Sequence, residues 1–477
     1  MAGSLQATPG FDLQPSAERV ALATNYITNF DFLNQYLPDT YEKEFERYGN
    51  RTVSGFLRMV GAEMPTNSDM IKWAEQGRLH TKYVNCTSAA AAAANTATWT
   101  VNDTLNPGTG GIAIRKGQTV FITDNTAASG LTNKAVVTDV DYAAGTFDVA
   151  YYEGTGQAVA AAVVCTVMIY GSEFKKGQLG MENSLEADDL IFDNKPIILK
   201  DRYEVSGSDM AQIGWIEVTT ENGATGYLWY LKSEHETRLR FDDYLETAMI
   251  EAVPAAPNSG AEAALSTATA AVGTVNAGSE GIFYAVETRG NLWSGGIPST
   301  LADFDSIIGR LDKQGSIEEN VLFVNREMSF DIDDMLAAQN SYGAGGTSYG
   351  LFDNDEQMAL NLGFTGFRRG YDFYKSDWKY LNDPTMRGDL TNGVVNGLLV
   401  PAGSTTVYDQ VLGKNAKRPF LHVRYRASET EDRRYKTWIT GSAGGAATSS
   451  LDAMEVHFLS ERAVCVMGAN NFFLFQD

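Results

Sequence analysis

The residues of this chain best suited to chemistry are two clusters of acids. Asp331, Asp333 and Asp334 form one, and Asp353, Asp355 and Glu356 repeat the arrangement. Carboxylates so close together serve glycoside hydrolysis, one as acid and the other as base or nucleophile, or they hold metals through oxygen. A glycoside hydrolase would use Asp331 or Asp333. Neither cluster carries the Gly and terminal Glu of a calcium loop. The first also stands where a helix is expected to begin, and the helix dipole favours acids there. A helix start and a solvated loop are therefore the expected settings.

The remaining motifs are incomplete. Gly346-Thr347-Ser348-Tyr349-Gly350 spells GxSxG. A nucleophile elbow needs a strand before it, a helix after it, and a later Asp and His. Its flanks here are AGG and LFDND, which read as a glycine hinge or loop tip. His235 lies in SEHETRLR with no second His to make HExxH, and GTGGIAIRKG lacks the GK[ST] ending of a phosphate loop. His80, His422 and His457 fall in strand-like segments and read as structural. Cys86, Cys165 and Cys465 are scattered and odd in number. They build no disulfide framework and no CxxC zinc pattern, which fits a reducing compartment. The sequence thus assigns no catalytic residue, no cofactor-binding residue and no metal ligand, and the chain is expected not to be an enzyme.

Composition points the same way. There are 477 residues but only four His, and a long enzyme usually shows titratable residues clustered at recognisable spacing. The length implies two to four domains, and 44% hydrophobic residues are ample for real cores. The net charge of −23 would repel nucleic acid and anionic membranes. The nearest approach to a basic run is Arg424, Arg426, Arg433, Arg434 and Lys436, interrupted by Glu429, Glu431 and Asp432. It reads as a mixed-charge loop or a subunit contact. The first residues lack the basic and apolar parts of a signal peptide, and no stretch is apolar enough to predict a membrane span.

The elements that would position these residues follow from local patterns. Asp39 and Glu42 have capping-box spacing before Tyr41, Phe45 and Tyr48. Ser68 is expected to cap a second helix carrying Ile71 and Trp73, ended by Gly77. From about 83 to 170, past the Ala89–Ala94 run, β-branched alternating segments are split by Gly and Asn turns. Val136–Asp141 and Thr146–Tyr151 around Ala143, Ala144 and Gly145 predict a hairpin, and the whole stretch predicts a small barrel or sandwich. Its flanks, 78–85 and 194–207, predict two strands of one arm, with an acidic loop (SLEADDLIFDN) between the insertion and the second. Residues 226–252 predict a long helix of roughly 40 Å, with Leu231, Phe241, Leu245, Ala248 and Ala252 on one stripe. Glu234–Arg238 and Glu236–Arg240 are i,i+4 pairs on it. Residues 255–280 predict a surface loop, and GIFYAVE (281–287) a strand. Thr300 and Asp303 open a helix with Phe304, Ile307, Ile308 and Leu311 on one face. VLFVNREM (321–328) predicts a strand, FDIDDMLAAQN a helix, and the chain closes in strands.

This order of elements resembles the major capsid proteins of tailed bacteriophages, of the Hong Kong 97 type. The resemblance implies an α+β capsid fold with a small all-β insertion domain. Residues 1–82 would be the N-terminal arm and short helices, and 83–170 the β-rich insertion in the E-loop. The return strand of the E-loop would lie in 171–215. Residues 216–280 would form the peripheral domain with its spine helix, and 281–477 the axial domain with the remaining peripheral strands. The implied function is a self-assembling icosahedral shell around double-stranded DNA. The implied partners are further copies of the chain in hexamers and pentamers, a portal protein, and scaffolding or decoration proteins. Contact with packaged DNA would be non-specific, and there would be no membrane partner and no cofactor. The implied location is the virion, after synthesis in a bacterial cytoplasm. The lysine–asparagine cross-link known in the family finds no matching residues. Other readings of the chain are a tail-tube or surface-layer subunit, or the hydrolase using Asp331 or Asp333.

Overall fold

The computed structural model describes residues 62–77, 82–88, 95–102, 112–125, 130–153, 159, 163–182, 189–211, 218–219, 225–226, 229–265, 277–314, 317–339, 366–409, 414–445 and 447–476. The capping box at Asp39 and Glu42, the Ala89–Ala94 run, His80, the GxSxG at 346–350 and the acids Asp353, Asp355 and Glu356 lie outside them. The chain divides into two compact units. Among the described residues, one gathers 199–211, 218–246 and 435–460, and the other 62–198, 247–434 and 461–476.

The first unit is a helix laid on a sheet. Ile197–Ser206 and Lys436–Gly441 both hydrogen-bond to the long strand Ala453–Val466. The long helix is Trp229–Glu251. Its Phe241 and Leu245 pack with Val205, Met454, Val456 and Phe458. The Phe241 ring meets Tyr435 edge-on at 5.5 Å and lies 5.7 Å from Phe458. The apolar stripe turns out differently from its reading in sequence. Met249 and Ile250 are buried, whereas Ala248 and Ala252 are only half-buried. Of the basic residues read as i,i+4 partners, Arg240 reaches Asp201 at 3.5 Å and Arg238 lies 6.0 Å from the Tyr435 ring. Each of these arginines thus meets a residue beyond the helix.

Three β structures of the second unit bear on its functional surface, beside the antiparallel pair Ser404–Asp409/Lys414–Pro419 and the parallel pair Ala62–Thr66/Leu421–Arg426. A six-stranded mixed sheet runs Asn291–Trp293, Phe473–Gln476, Val395–Pro401, Glu319–Val324, Tyr371–Asp377, Gly366–Arg369. Helices Leu301–Gln314 and Arg326–Gln339 bury Phe304, Ile307, Leu311, Met328 and Ile332 with Leu322, Val324, Phe373, Leu399 and Phe473 of that sheet. The capping box of the first helix is formed. Thr300 N–H donates to Asp303 Oδ2 (3.0 Å), and Asp303 N–H donates to Thr300 Oγ1 (3.2 Å).

The second structure is a closed barrel, in order Lys82–Ser88, Thr96–Val101, Thr146–Tyr151, Thr132–Asp141, Gln118–Asp124, Cys165–Ser172. Trp99, Tyr83, Phe147 and Ile114 are fully buried inside it. Its hairpin turn is held by Asp141, whose Oδ1 accepts from the N–H groups of Ala143 (2.9 Å) and Ala144 (3.1 Å). Gly145 then takes φ +67°, a conformation that favours glycine.

The third is a two-stranded antiparallel ribbon, Ile71–Gln76 with Asp189–Asn194, and the barrel is spliced between its strands. Three expectations are corrected here. Ile71–Gln76 is a strand and not the helix expected after Ser68: it pairs with Asp189–Asn194, which puts Ile71 and Trp73 on one face. Asp189–Asn194 is a strand within the segment read as an acidic loop. Among the described residues, the pairing expected between 78–85 and 194–207 is not found. Lys82–Ser88 belongs to the barrel, and Ile197–Ser206 pairs with Ala453–Val466.

Two more corrections concern helices. GIFYAVE is helical, over Ile282–Arg289, with Ile282, Phe283, Ala285 and Val286 buried. A short apolar run does not distinguish helix from strand by itself, and here the buried positions follow helical spacing. Residues 326–328, read as the end of a strand, begin the helix Arg326–Gln339, capped by Asn325 Oδ1 accepting from Met328 N–H (2.8 Å).

Candidate functional site

Two surfaces carry side chains that the fold leaves available, one in each unit. In the first unit, strand alternation sends Leu199, Tyr203 and Val205 to the helix and Lys200, Arg202 and Glu204 to the opposite face. Cross-strand register places Trp438 opposite His457 and Thr440 opposite Glu455 on that face. The Trp438 and His457 rings stack at 5.1 Å with planes 16° apart. Thr440 Oγ1 donates to Glu455 Oε2 (2.9 Å) and lies 2.7 Å from His457 Nε2. Arg202 reaches Glu455 Oε1 at 2.9 Å and Glu204 at 3.1 Å. Lys200, Asp201, Arg202, Trp438, His457 and Phe458 line a cavity of about 360 Å3. Glu455 already accepts from Arg202 and Thr440, which suits it to holding the face together. Burial pushes the Tyr435 hydroxyl on the helix side up to about 12. No motif marked these residues in the sequence. Their only signal is the period-two alternation of KTWITG and MEVHFL.

In the second unit the ribbon has a fixed root and a bare outer part. At the root, buried Asn194 donates from Nδ2 to the carbonyls of Glu280 (2.9 Å) and Val464 (2.6 Å). Its Oδ1 accepts from Ser279 Oγ–H (3.1 Å) and Glu280 N–H (2.8 Å). The Arg289 guanidinium pairs with Glu280 and lies 4.5 Å from the Phe192 ring and 5.6 Å from Trp73. Burial holds the Glu280 carboxyl above its usual range, against the pull of Arg289. Glu75 Oε1 accepts from Gly468 N–H at 2.8 Å. Farther out, Ile191 is 69% exposed and Leu190 57% exposed.

The residues singled out in sequence fare differently. Asp331, Asp333 and Asp334 lie inside the helix Arg326–Gln339 and not at its start. Asp333 is buried and paired with Lys375 at 2.5 Å, Asp331 is half-buried and Asp334 is exposed. The pairing of Asp333 with Lys375 gives it a structural partner. His235 is exposed on the long helix, and His422 is buried with Nδ1 3.1 Å from the Pro419 carbonyl. The basic run is met by the chain's own acids: Arg426 with Asp69, Arg433 with Glu461, Arg434 with Glu63. Among the described residues, no three His, Cys, Asp or Glu side chains gather where they could hold a metal.

No protein-family model matches the sequence, and no curated protein matches it. Solved structures do. A structure of Gordonia phage Cozz is similar over 98% of this chain and 98% of its own, at 10% identity and a TM-score of 0.38. One of Microbacterium phage Oxtober96 is similar over 94% of this chain and 99% of its own, at 10% identity and a TM-score of 0.37. The capsid structure of Cyanophage P-SCSP1u is similar over 64% of this chain and 80% of its own, at 9% identity and a TM-score of 0.33.

Proposed function

We propose that the chain is a major capsid protein of the Hong Kong 97 type, a structural subunit that self-assembles into an icosahedral shell around double-stranded DNA. The observation that carries this reading is the ribbon. A two-stranded ribbon is marginal by itself, yet this one is rooted by a buried polar network and then presents Ile191 and Leu190 to solvent. Exposed apolar side chains on an extended element mark a contact with another molecule, and in a shell that molecule is a neighbouring copy.

In this reading the ribbon is the E-loop and the barrel its insertion. The helix-on-sheet unit is the peripheral domain, and the six-stranded sheet with its two helices is the axial domain. The chain would be a structural protein without catalytic or metal sites. Its partners would be its own copies in hexamers and pentamers, then a portal protein and scaffolding or decoration proteins. It would be made in a bacterial cytoplasm and end in the virion. The net charge of −23 suits a shell that must not cling to its DNA.

Electron microscopy of the protein expressed with its neighbouring phage genes tests the proposal. Closed shells of uniform diameter are expected. Open tubes would point to a tail tube, flat lattices to a surface layer, and monomers with sugar-cleaving activity to the hydrolase. Any of these would overturn the capsid reading.

A further inference from the structure

We infer that Cys86 and Cys165 are a cross-strand disulfide pair that staples the barrel's first strand to its last. The two lie far apart in sequence, but the fold sets them directly opposite each other, on Lys82–Ser88 and Cys165–Ser172. A bulge makes the match. Between the pairs Tyr83↔Val167 and Cys86↔Cys165, one strand advances three residues and the other two. Unbroken alternation would bring Asn85 inside, opposite Cys165. The bulge instead leaves Val84 exposed and turns Asn85 toward Asn102, to whose carbonyl it donates at 3.1 Å. Cys86 then points into the core beside Cys165, both with no exposed surface.

Directly opposite residues of an antiparallel pair share a face and have Cα atoms about 4.5–5.5 Å apart. Disulfides span about 4.4–6.8 Å between Cα atoms. Both residues are thiols in this structure. Each points toward a nearby carbonyl, Cys86 Sγ to Tyr83 O at 4.0 Å and Cys165 Sγ to Val163 O at 3.5 Å. Thiol hydrogen bonds are weak and easily given up.

The oxidant would be a low-molecular-weight disulfide. One cysteine, as thiolate, attacks a sulfur of that disulfide and releases one small thiol, leaving a mixed disulfide. The second cysteine displaces the other small thiol and closes the Cys86–Cys165 bond. The two cysteine sulfurs are oxidised by two electrons in all, and their two protons leave with the released thiols. Burial pushes the Cys165 thiol up to about 11, so little thiolate exists once the barrel is closed. Thiols stay reduced in the bacterial cytoplasm proposed for synthesis, so the bond forms when the barrel opens after release from the cell, and is shielded afterwards.

The test uses the full chain, refolded from denaturant in a buffer of oxidised and reduced glutathione so that access to the sulfurs is not limiting. Remaining thiols are blocked with N-ethylmaleimide and the protein is digested without reduction for mass spectrometry. The expected product is one linked peptide pair joining Cys86 to Cys165, lighter by two hydrogens than the two thiol peptides, with Cys465 carrying the label. The melting midpoint should be higher without reductant than with it, and this difference should vanish in Cys165→Ser. Full labelling of Cys86 and Cys165, or linkage of either to Cys465, would overturn the inference. The mass readout needs neither a folded variant nor a shell, so its failure is separable from failure of the capsid reading.

Discussion

The barrel and the ribbon that carries it are neighbours in sequence, and they solve the same problem in opposite ways. The barrel closes its sheet, so no strand edge is left unpaired, and its inward side chains bury one another. The ribbon has two strands and one hydrogen-bonded seam. Its inward residues Ile71 and Trp73 meet Ala463 and Cys465 at the root, and farther along Glu75 accepts from Gly468 N–H. Its outer residues meet nothing within the described chain that buries them. A sheet that closes is stable in the subunit, and one that stays open at the edges must borrow its cover.

The largest expected effect tests the barrel's independence. Trp99→Ala removes a fully buried ring whose Nε1–H donates to Tyr151 Oη at 2.9 Å, and should cost about 3–5 kcal/mol. Hydrogen exchange should show protection lost within 82–172 and kept at 71–76 and 189–194. Loss spread evenly over the unit would show that barrel and ribbon fold as one.

Next comes the ribbon's root. Asn194→Ala leaves the Glu280 N–H and the Val464 carbonyl without their partner, which should cost about 1–3 kcal/mol. Here the ribbon should lose protection and the barrel keep it, which a denaturant midpoint together with exchange would read.

Tyr151→Phe is a smaller change, about 1 kcal/mol for one hydrogen bond, with a pH signature. Burial pushes the Tyr151 hydroxyl from 10.0 up to about 12. The folded barrel thus keeps its proton where the unfolded chain loses it. The stability contributed is full below pH 10.0 and is lost as pH rises toward about 12. The wild-type midpoint should fall across that window more steeply than that of the Phe variant. Equal slopes would show that Tyr151 titrates as it does in the unfolded chain.

The smallest effect on the subunit should come from the ribbon's tip. Ile191→Asp alters a side chain already 69% exposed and should shift subunit stability by no more than about 0.5 kcal/mol. It should nevertheless cut the yield of shells severalfold in electron micrographs. Unchanged shell yield would remove the ribbon from the contact between copies.

What the sequence by itself determined was local. The Asp141–Thr146 turn, the Thr300–Asp303 cap and the long helix are written in residues a few positions apart, whose hydrogen bonds and spacing act before any distant segment arrives. What only the tertiary structure decided was pairing. Ile71–Gln76 is a strand because Asp189–Asn194 lies beside it, and Ile282–Arg289 is a helix although its apolar run suits either form. Trp438 meets His457, and Cys86 meets Cys165, only through register, the latter through a single bulged residue. Register depends on which strands find each other across long stretches of chain. One step of slip reverses the face of every side chain beyond it, and no local pattern in this sequence fixes that step.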